Sequence, residues 1–213
     1  MKKYLAILFV TLSASLAFAG DGDFLVRGRL INVAPNDDSS DILTTGTHVT
    51  VDDAFVPEVD LTYFFNKNWG LEIIAATSPH DISTESGALG GADAGEVWVL
   101  PPTLTLQYHF GKDKAVDVYA GLGINYSLFY NYDISDDLKG LGVSDIDFDS
   151  SFGLAGNLGV DFKLTEKWVF NLDLKYIDIA TDADLELEAG GILDTLDVDI
   201  DPLVVGIGVG YRF

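Results

Sequence analysis

The sequence predicts an all-β fold: an eight-stranded antiparallel up-and-down transmembrane β-barrel with short periplasmic turns and long extracellular loops. Three observations carry that expectation. Apolar residues recur at every second position through most of the chain, the period of a strand. The segments that show this alternation are joined by connections that are by turns short and long, as in outer-membrane barrels. The chain also ends on such a segment, with Tyr211 and Phe213 as its last outward aromatics.

The N-terminus predicts the compartment. Lys2 and Lys3 precede an apolar stretch over 4–16, and Ala17-Phe18-Ala19 is a small-x-small cleavage site. This is the layout of a secretory signal peptide, and the apolar stretch is shorter than the roughly 20 residues a membrane-spanning helix needs. The expected organisation is a cleaved signal over 1–19 and an outer-membrane barrel over 20–213. No cysteine is present, which excludes disulfides, thiolate metal sites and a lipid-anchoring cysteine. A net charge of −22 repels the phosphates of nucleic acid and of anionic lipid.

The eight segments follow in order. Phe24, Val26, Gly28 and Leu30 share one face, opposed by Arg27 and Arg29. Phe55, Pro57, Val59, Leu61 and Tyr63 oppose Glu58, Asp60 and Thr62. Leu71, Ile73 and Ala75 oppose Glu72 and Ile74. Leu100, Pro102, Leu104, Leu106, Tyr108 and Phe110 oppose Thr103, Thr105, Gln107 and His109. The fifth alternation runs Val118, Ala120, Leu122, Ile124, Tyr126, Leu128. In the sixth, Phe152 to Phe162 alternate with Asn157, Asp161 and Lys163. In the seventh, Trp168, Phe170, Leu172, Leu174 and Tyr176 oppose Asn171, Asp173 and Lys175. The eighth carries Leu203, Val205, Ile207, Val209, Tyr211 and Phe213 against glycines and Arg212.

Three connections are short, 66–69, 111–115 and 164–167, and four are long, 34–47, 81–95, 131–149 and 182–195. An even, closed count with both termini periplasmic leaves no unpaired edge in lipid. Aromatics mark the interfaces: Tyr63, Phe65, Trp69, Tyr108, Phe110, Phe162, Trp168, Tyr211 and Phe213 low, Tyr130, Tyr132 and Tyr176 high. Tyr211 and Phe213 also resemble the terminal signal read by the barrel-assembly machinery. A secreted barrel of lipocalin type, with apolar faces turned inward, is the soluble rival.

If the bulky faces meet lipid, the other faces line the lumen. There the lower half carries Arg27, Arg29, Glu58, Asp60, Glu72, His109, Asp161, Lys163, Asp173, Lys175 and Arg212. Eight strands leave an interior just wide enough for side chains, so both signs are expected to interlock as a plug. Above the membrane, parity reverses the lining. Asp182, Asp184, Glu186, Asp197 and Asp199 fall on the outer side, and Leu185, Leu187, Val198 and Ile200 fall inside, with Val97 and Val99. An apolar funnel over a charged floor suits a small hydrophobic solute arriving from outside. Pro57, Pro101 and Pro102 lack ladder N–H groups and could open the wall sideways; equally, they could simply end strands at the lip.

Catalysis finds no support. His48, His80 and His109 are scattered, and no G-x-S-x-G, P-loop or H-E-x-x-H pattern is present. No cofactor or metal is expected. The acidic runs 145–149 and 197–201 fan along strand faces and read as solvated surface, open to lipopolysaccharide through divalent ions.

Several stretches resemble the OmpW family of small outer-membrane proteins: GLEIIAAT (70–77), LPPTL (100–104), YHFG (108–111), AGLGINY (120–126), GNLGVD (156–161), YIDI (176–179) and 201–213. The resemblance implies an eight-stranded barrel with a narrow hydrophobic channel for small hydrophobic molecules. It also implies a gate of leucine and tryptophan, positions that fall here on Ile74 and Lys175. Lys175 breaks the apolar pattern and points instead to an ion pair with Glu72 or Asp173. A structural or surface-binding barrel with a plugged lumen and no transport is the alternative, and the openness of the upper lumen discriminates the two.

Overall fold

A computed structural model describes residues 23–40, 47–85, 90–140 and 142–213. The expected signal over 1–19 lies outside the described residues. In chain order the elements are β1 (Asp23–Ala34), β2 (Asp38–Ser39), β3 (His48–Val51), β4 (Ala54–Phe64), β5 (Trp69–Ala76), β6 (Ser78–Glu85) and β7 (Asp93–Leu100). Then follow β8 (Thr103–His109), β9 (Val116–Ile134), α1 (Asp136–Gly140), β10 (Val143–Phe148), β11 (Ser151–Lys163), β12 (Trp168–Ile177), β13 (Ala180–Leu187), β14 (Ile192–Asp199) and β15 (Leu203–Arg212).

Eight of these strands form a closed antiparallel wall in the order β1-β4-β5-β8-β9-β11-β12-β15, and β15 returns to β1. Closure joins the ends of the chain: Leu25 stands opposite Arg212 and Ala34 opposite Leu203. Alternation is what makes the wall. In β4 the burial runs strictly in turn, with Phe55 81% and Val59 56% exposed while Glu58 and Asp60 are buried. A wall with leucines outside and carboxylates inside is stable only with lipid around it. The lower rim is banded by aromatic pairs, among them Trp69–Tyr108 and Trp168–Tyr211, with ring centroids 5.0 and 5.1 Å apart.

Three of the four long connections, 81–95, 131–149 and 182–195, are built in good part from strands among the described residues, and 34–47 contributes the two-residue β2. β6 and β7 continue above the wall with the top of β9 and with β3. β10, β13, β14 and β2 form a second, four-stranded sheet. These two sheets make a crown over the barrel, and its acids point outward: Asp182 and Asp197, paired across β13–β14, are both exposed. A hydrogen bond to Asp197 holds the Asp182 carboxyl above the usual carboxylate range.

The crown is apolar inside. Its core includes Ile82, Val97, Ile146, Leu185, Val198 and Ile200. Tyr132, expected in the upper aromatic girdle, belongs to this interior instead. It packs against the core and stacks on Phe148, with centroids 5.3 Å apart and planes at 28°. The wall changes partners where crown meets barrel. β5 pairs β8 only up to Ile74 opposite Thr103, and Pro101 and Pro102 then separate β8 from β7. β4 pairs β5 only up to Glu58 opposite Ala76.

Candidate functional site

The inward faces of the lower wall assemble one buried polar network. Arg27 on β1 is its hub. Its Nε donates to Asp60 Oδ1 at 2.9 Å, Nη2 to Glu72 Oε1 at 2.7 Å and to Thr62 Oγ1 at 2.9 Å, and Nη1 to Asp161 Oδ2 at 3.3 Å. Arg29, one step higher, donates to Glu58 Oε1 at 2.6 Å and to Asn171 Oδ1 at 2.7 Å. It also lies 2.9 Å from Asp60 Oδ2. The second oxygen of Glu72 accepts from Thr105, Gln107 and Asn157 at 2.8, 2.7 and 3.2 Å. So many partners are what a buried carboxylate requires.

Several members carry no charge, and charge counting overlooks them. Tyr119 is fully buried, donates to Asp173 Oδ2 at 2.7 Å and accepts from Asn171 Nδ2 at 3.0 Å. Its signal was parity: it follows outward Val118, so it must face in. Gly159, its direct partner on the neighbouring strand β11, makes room for it, since a Cβ there would lie 2.2 Å from the Tyr119 ring. Below the network Leu25, Phe64 and Val169 form a small apolar seal.

Two expected members stand elsewhere. Lys163 lies at the end of β11 and pairs across the turn with exposed Glu166, at 2.8 Å. Arg212 is half-buried at the lower rim, where its Nη1 donates to the Lys112 carbonyl at 2.9 Å and its guanidinium carbon lies 5.9 Å from the Phe64 ring centre. The last strand has its lumen face filled by glycines here, and its terminal arginine reaches down, not into the ion pairs.

His109, Asp117 and Asp161 bring ligand atoms within 4.8 Å of one another. Each is already engaged within the protein. His109 Nδ1 meets Asp117 Oδ2 at 2.8 Å and Nε2 meets Gln107 Oε1 at 3.2 Å, while Asp161 serves Arg27 and Asn171.

Above the network lies a cavity of about 350 Å³. Its floor is Glu58, Ile74 and Lys175, and its walls include Val97, Val99, Leu185, Val198 and Ile200. Leu187 does not reach it. A register shift between Leu185 and Glu186 intervenes, and Leu187 is half-buried near the end of β13. Lys175 Nζ donates to Asp173 Oδ1 at 2.7 Å and to Glu58 Oε1 at 2.9 Å. Asp173 is one of the two partners the sequence suggested; Glu58 takes the place of Glu72.

Polar groups on the cavity wall are few. His80 and Ser78 are buried on β6, with His80 Nε2 2.8 Å from Ser78 Oγ and Nδ1 2.8 Å from the Asp52 carbonyl. The bond to a carbonyl requires the proton on Nδ1, so Ser78 donates to Nε2. Burial holds the His80 imidazole below its ordinary range, and it stays neutral near pH 7. Pro101 lines the cavity at the break between β7 and β8, with Pro102 half-buried beside it. Pro57 stands opposite Leu30 on β4, above the last β4–β5 pair. Tyr211 meets Phe213 edge-on at 4.9 Å, and the Phe213 N–H donates to the Phe24 carbonyl at 2.9 Å.

This arrangement of crown, cavity and plugged wall has relatives. Residues 20–213 match the OmpW family. Outer membrane protein W of Vibrio cholerae is 37% identical over 212 residues, covering 98% of this chain and 97% of that one. The crystal structure of the outer membrane protein OprG from Pseudomonas aeruginosa superposes with a TM-score of 0.84 at 39% identity, covering 90% of this chain and 96% of that one. The solution structure of Escherichia coli outer membrane protein W gives a TM-score of 0.61 at 32% identity, covering 90% and 98%. The closed eight-stranded wall, its lipid-facing leucines and these matches lead to one conclusion: the chain belongs to the OmpW family and is a β-barrel of the outer membrane.

Proposed function

We propose that the crown cavity takes up small hydrophobic molecules from outside and delivers them sideways into the membrane. One observation carries the reading: a cavity of about 350 Å³ with almost wholly apolar walls stands directly on a floor of buried ion pairs. Transfer of each methylene from water into such walls contributes roughly 0.8 kcal/mol, so an oily solute concentrates there. Continuing downward would strip it past Arg27, Arg29 and Glu72, groups that have no spare room. Leaving sideways costs little, because lipid is as apolar as the cavity.

The wall loses ladder hydrogen bonds where β4 and β8 part from β5, around Pro57, Pro101 and Pro102. Ile74 and Lys175 then act as the closed end of the path, a gate toward the periplasm. The relatives PahQ and DoxH, 25% identical, are named for a dibenzothiophene metabolism operon, which suits an apolar cargo. In the same reading residues 1–19 are removed on export, both termini face the periplasm, and Tyr211 with Phe213 guides assembly by the barrel-assembly machinery. The acidic crown then meets lipopolysaccharide through divalent ions.

Uptake of a labelled aromatic hydrocarbon into vesicles tests this. Replacing Leu185, Val198 and Ile200 together by Asp is expected to abolish uptake while the folded barrel persists on gels. Undiminished uptake would refute the cavity route. Pro101→Ala with Pro102→Ala is expected to slow release by restoring ladder donors.

A further inference from the structure

The cavity floor is not fully used by the protein. Both bonds that Glu58 accepts fall on one oxygen: Arg29 Nη1 at 2.6 Å and Lys175 Nζ at 2.9 Å both reach Oε1. Among the described residues nothing donates to Oε2, although Glu58 is only 3% exposed and lines the cavity. Lys175 is 2% exposed and lines the same floor. An ammonium has three N–H donors, and Lys175 spends two, on Glu58 and Asp173. One acceptor and one donor therefore remain side by side at the closed end of an apolar cavity. Both groups face the cavity, where a guest that pairs with them gains hydrogen bonds that an apolar wall does not offer.

The charge around the pair restricts what that something is. Arg27, Arg29 and Lys175 face Glu58, Asp60, Glu72, Asp161 and Asp173, so carboxylates outnumber cations in the floor. A carboxylate head would meet the unpaired Glu58 oxygen as a like charge in a poorly screened site. A hydroxyl fits both remaining groups, since it donates to Glu58 Oε2 and accepts from Lys175 Nζ in one position.

We infer that Glu58 and Lys175 form a binding site for a hydroxyl, and that the preferred guest is a small apolar alcohol or phenol lying tail-up in the cavity. This inference rests on the proposed uptake of apolar solutes and specifies their head group. It also gives Lys175 a role that an apolar gate residue at the same position would lack.

Binding of octane, 1-octanol and octanoate to the full chain in phospholipid vesicles tests it. Each is measured by displacement of a fluorescent apolar probe, with protein-free vesicles subtracted to remove partitioning. Octanol is expected to bind about tenfold more tightly than octane, the worth of one good hydrogen bond to a charged group, and octanoate more weakly than either. Glu58→Gln and Lys175→Met are expected to bring the octanol-to-octane ratio close to one. Heat-modifiable gel mobility reports whether each variant is folded, and the ligand series on the native chain decides the matter if one is not. Octane and octanol binding equally, or octanoate binding as tightly as octanol, would overturn the hydroxyl site. If none of the three displaces the probe, the uptake reading itself fails.

Discussion

Removing the hub of the floor should be far more costly than removing any surface charge. In Arg27→Met three carboxylates lose their shared cation: Asp60, Glu72 and Asp161, at 2.9, 2.7 and 3.3 Å. Breaking one partner from a buried ion pair typically costs 3–5 kcal/mol, because a charge is left uncompensated. Here each carboxylate keeps some support. Asp60 retains Arg29 at 2.9 Å, Glu72 retains Arg29 at 3.3 Å, and Asp161 retains Asn171 at 2.7 Å. The expected loss is therefore near the lower end, about 3 kcal/mol, or roughly a hundredfold in the folding equilibrium. The matched control is Lys163→Met, which breaks a pair with exposed Glu166 and should cost less than about 1 kcal/mol. Urea titration of the barrel in lipid vesicles, followed by tryptophan emission and by gel mobility, measures both. Adding Asp60→Asn to Arg27→Met removes one stranded charge and should recover part of the loss. An Arg27→Met barrel as stable as the Lys163→Met control would refute the view that the floor is held by interlocked charge.

Two further predictions concern space and acidity. Gly159→Ala should destabilise the barrel by about 1–3 kcal/mol, because its Cβ would lie 2.2 Å from the Tyr119 ring, whereas Gly156→Ala, with Leu122 3.6 Å away, should be tolerated in the same titration. His80 is held neutral, so its contribution is present above its ordinary value of 6.5 and is lost as pH falls below it, when the unfolded chain binds the extra proton. Protection of the Asp52 amide, which donates to the Asp81 carbonyl at 3.0 Å, measured against the intrinsic exchange rate at each pH, should fall below pH 6.5 in the native chain but not in His80→Gln. A loss of protection unchanged in His80→Gln would assign the effect to Asp52, Asp53 or Asp81.

The wall and its lining were legible because period two is a strict geometric rule. It placed Arg27, Glu58, Glu72 and Asp173 inside, and carried Val97, Val99, Leu185, Val198 and Ile200 into the crown. The rule failed where the ladder is irregular or ends. Leu187 lies beyond the register shift in β13, and Lys163 and Arg212 sit at strand ends, where long side chains choose rim partners. Most of β6 and the start of β7 fell within the connection 81–95 because serine, aspartate and glycine interrupt their alternation. Tyr132 has the composition of a girdle residue, and only the neighbouring β10, with Phe148, shows that it turns inward. The open atom on Glu58 was beyond reach of pattern, because it depends on which oxygen Arg29 and Lys175 both choose.

The floor also constrains how the molecule is made. Arg27 on β1 bonds Asp161 on β11, 134 positions away, and β1 has no second wall partner until β15, the last strand, has emerged. Until that seam closes, the lumen charges of each strand would stand naked against acyl chains if the strand inserted alone. The strands must therefore enter the bilayer together, with water still filling the nascent pore, and the interior dries only in the final stitch between the two ends of the polypeptide.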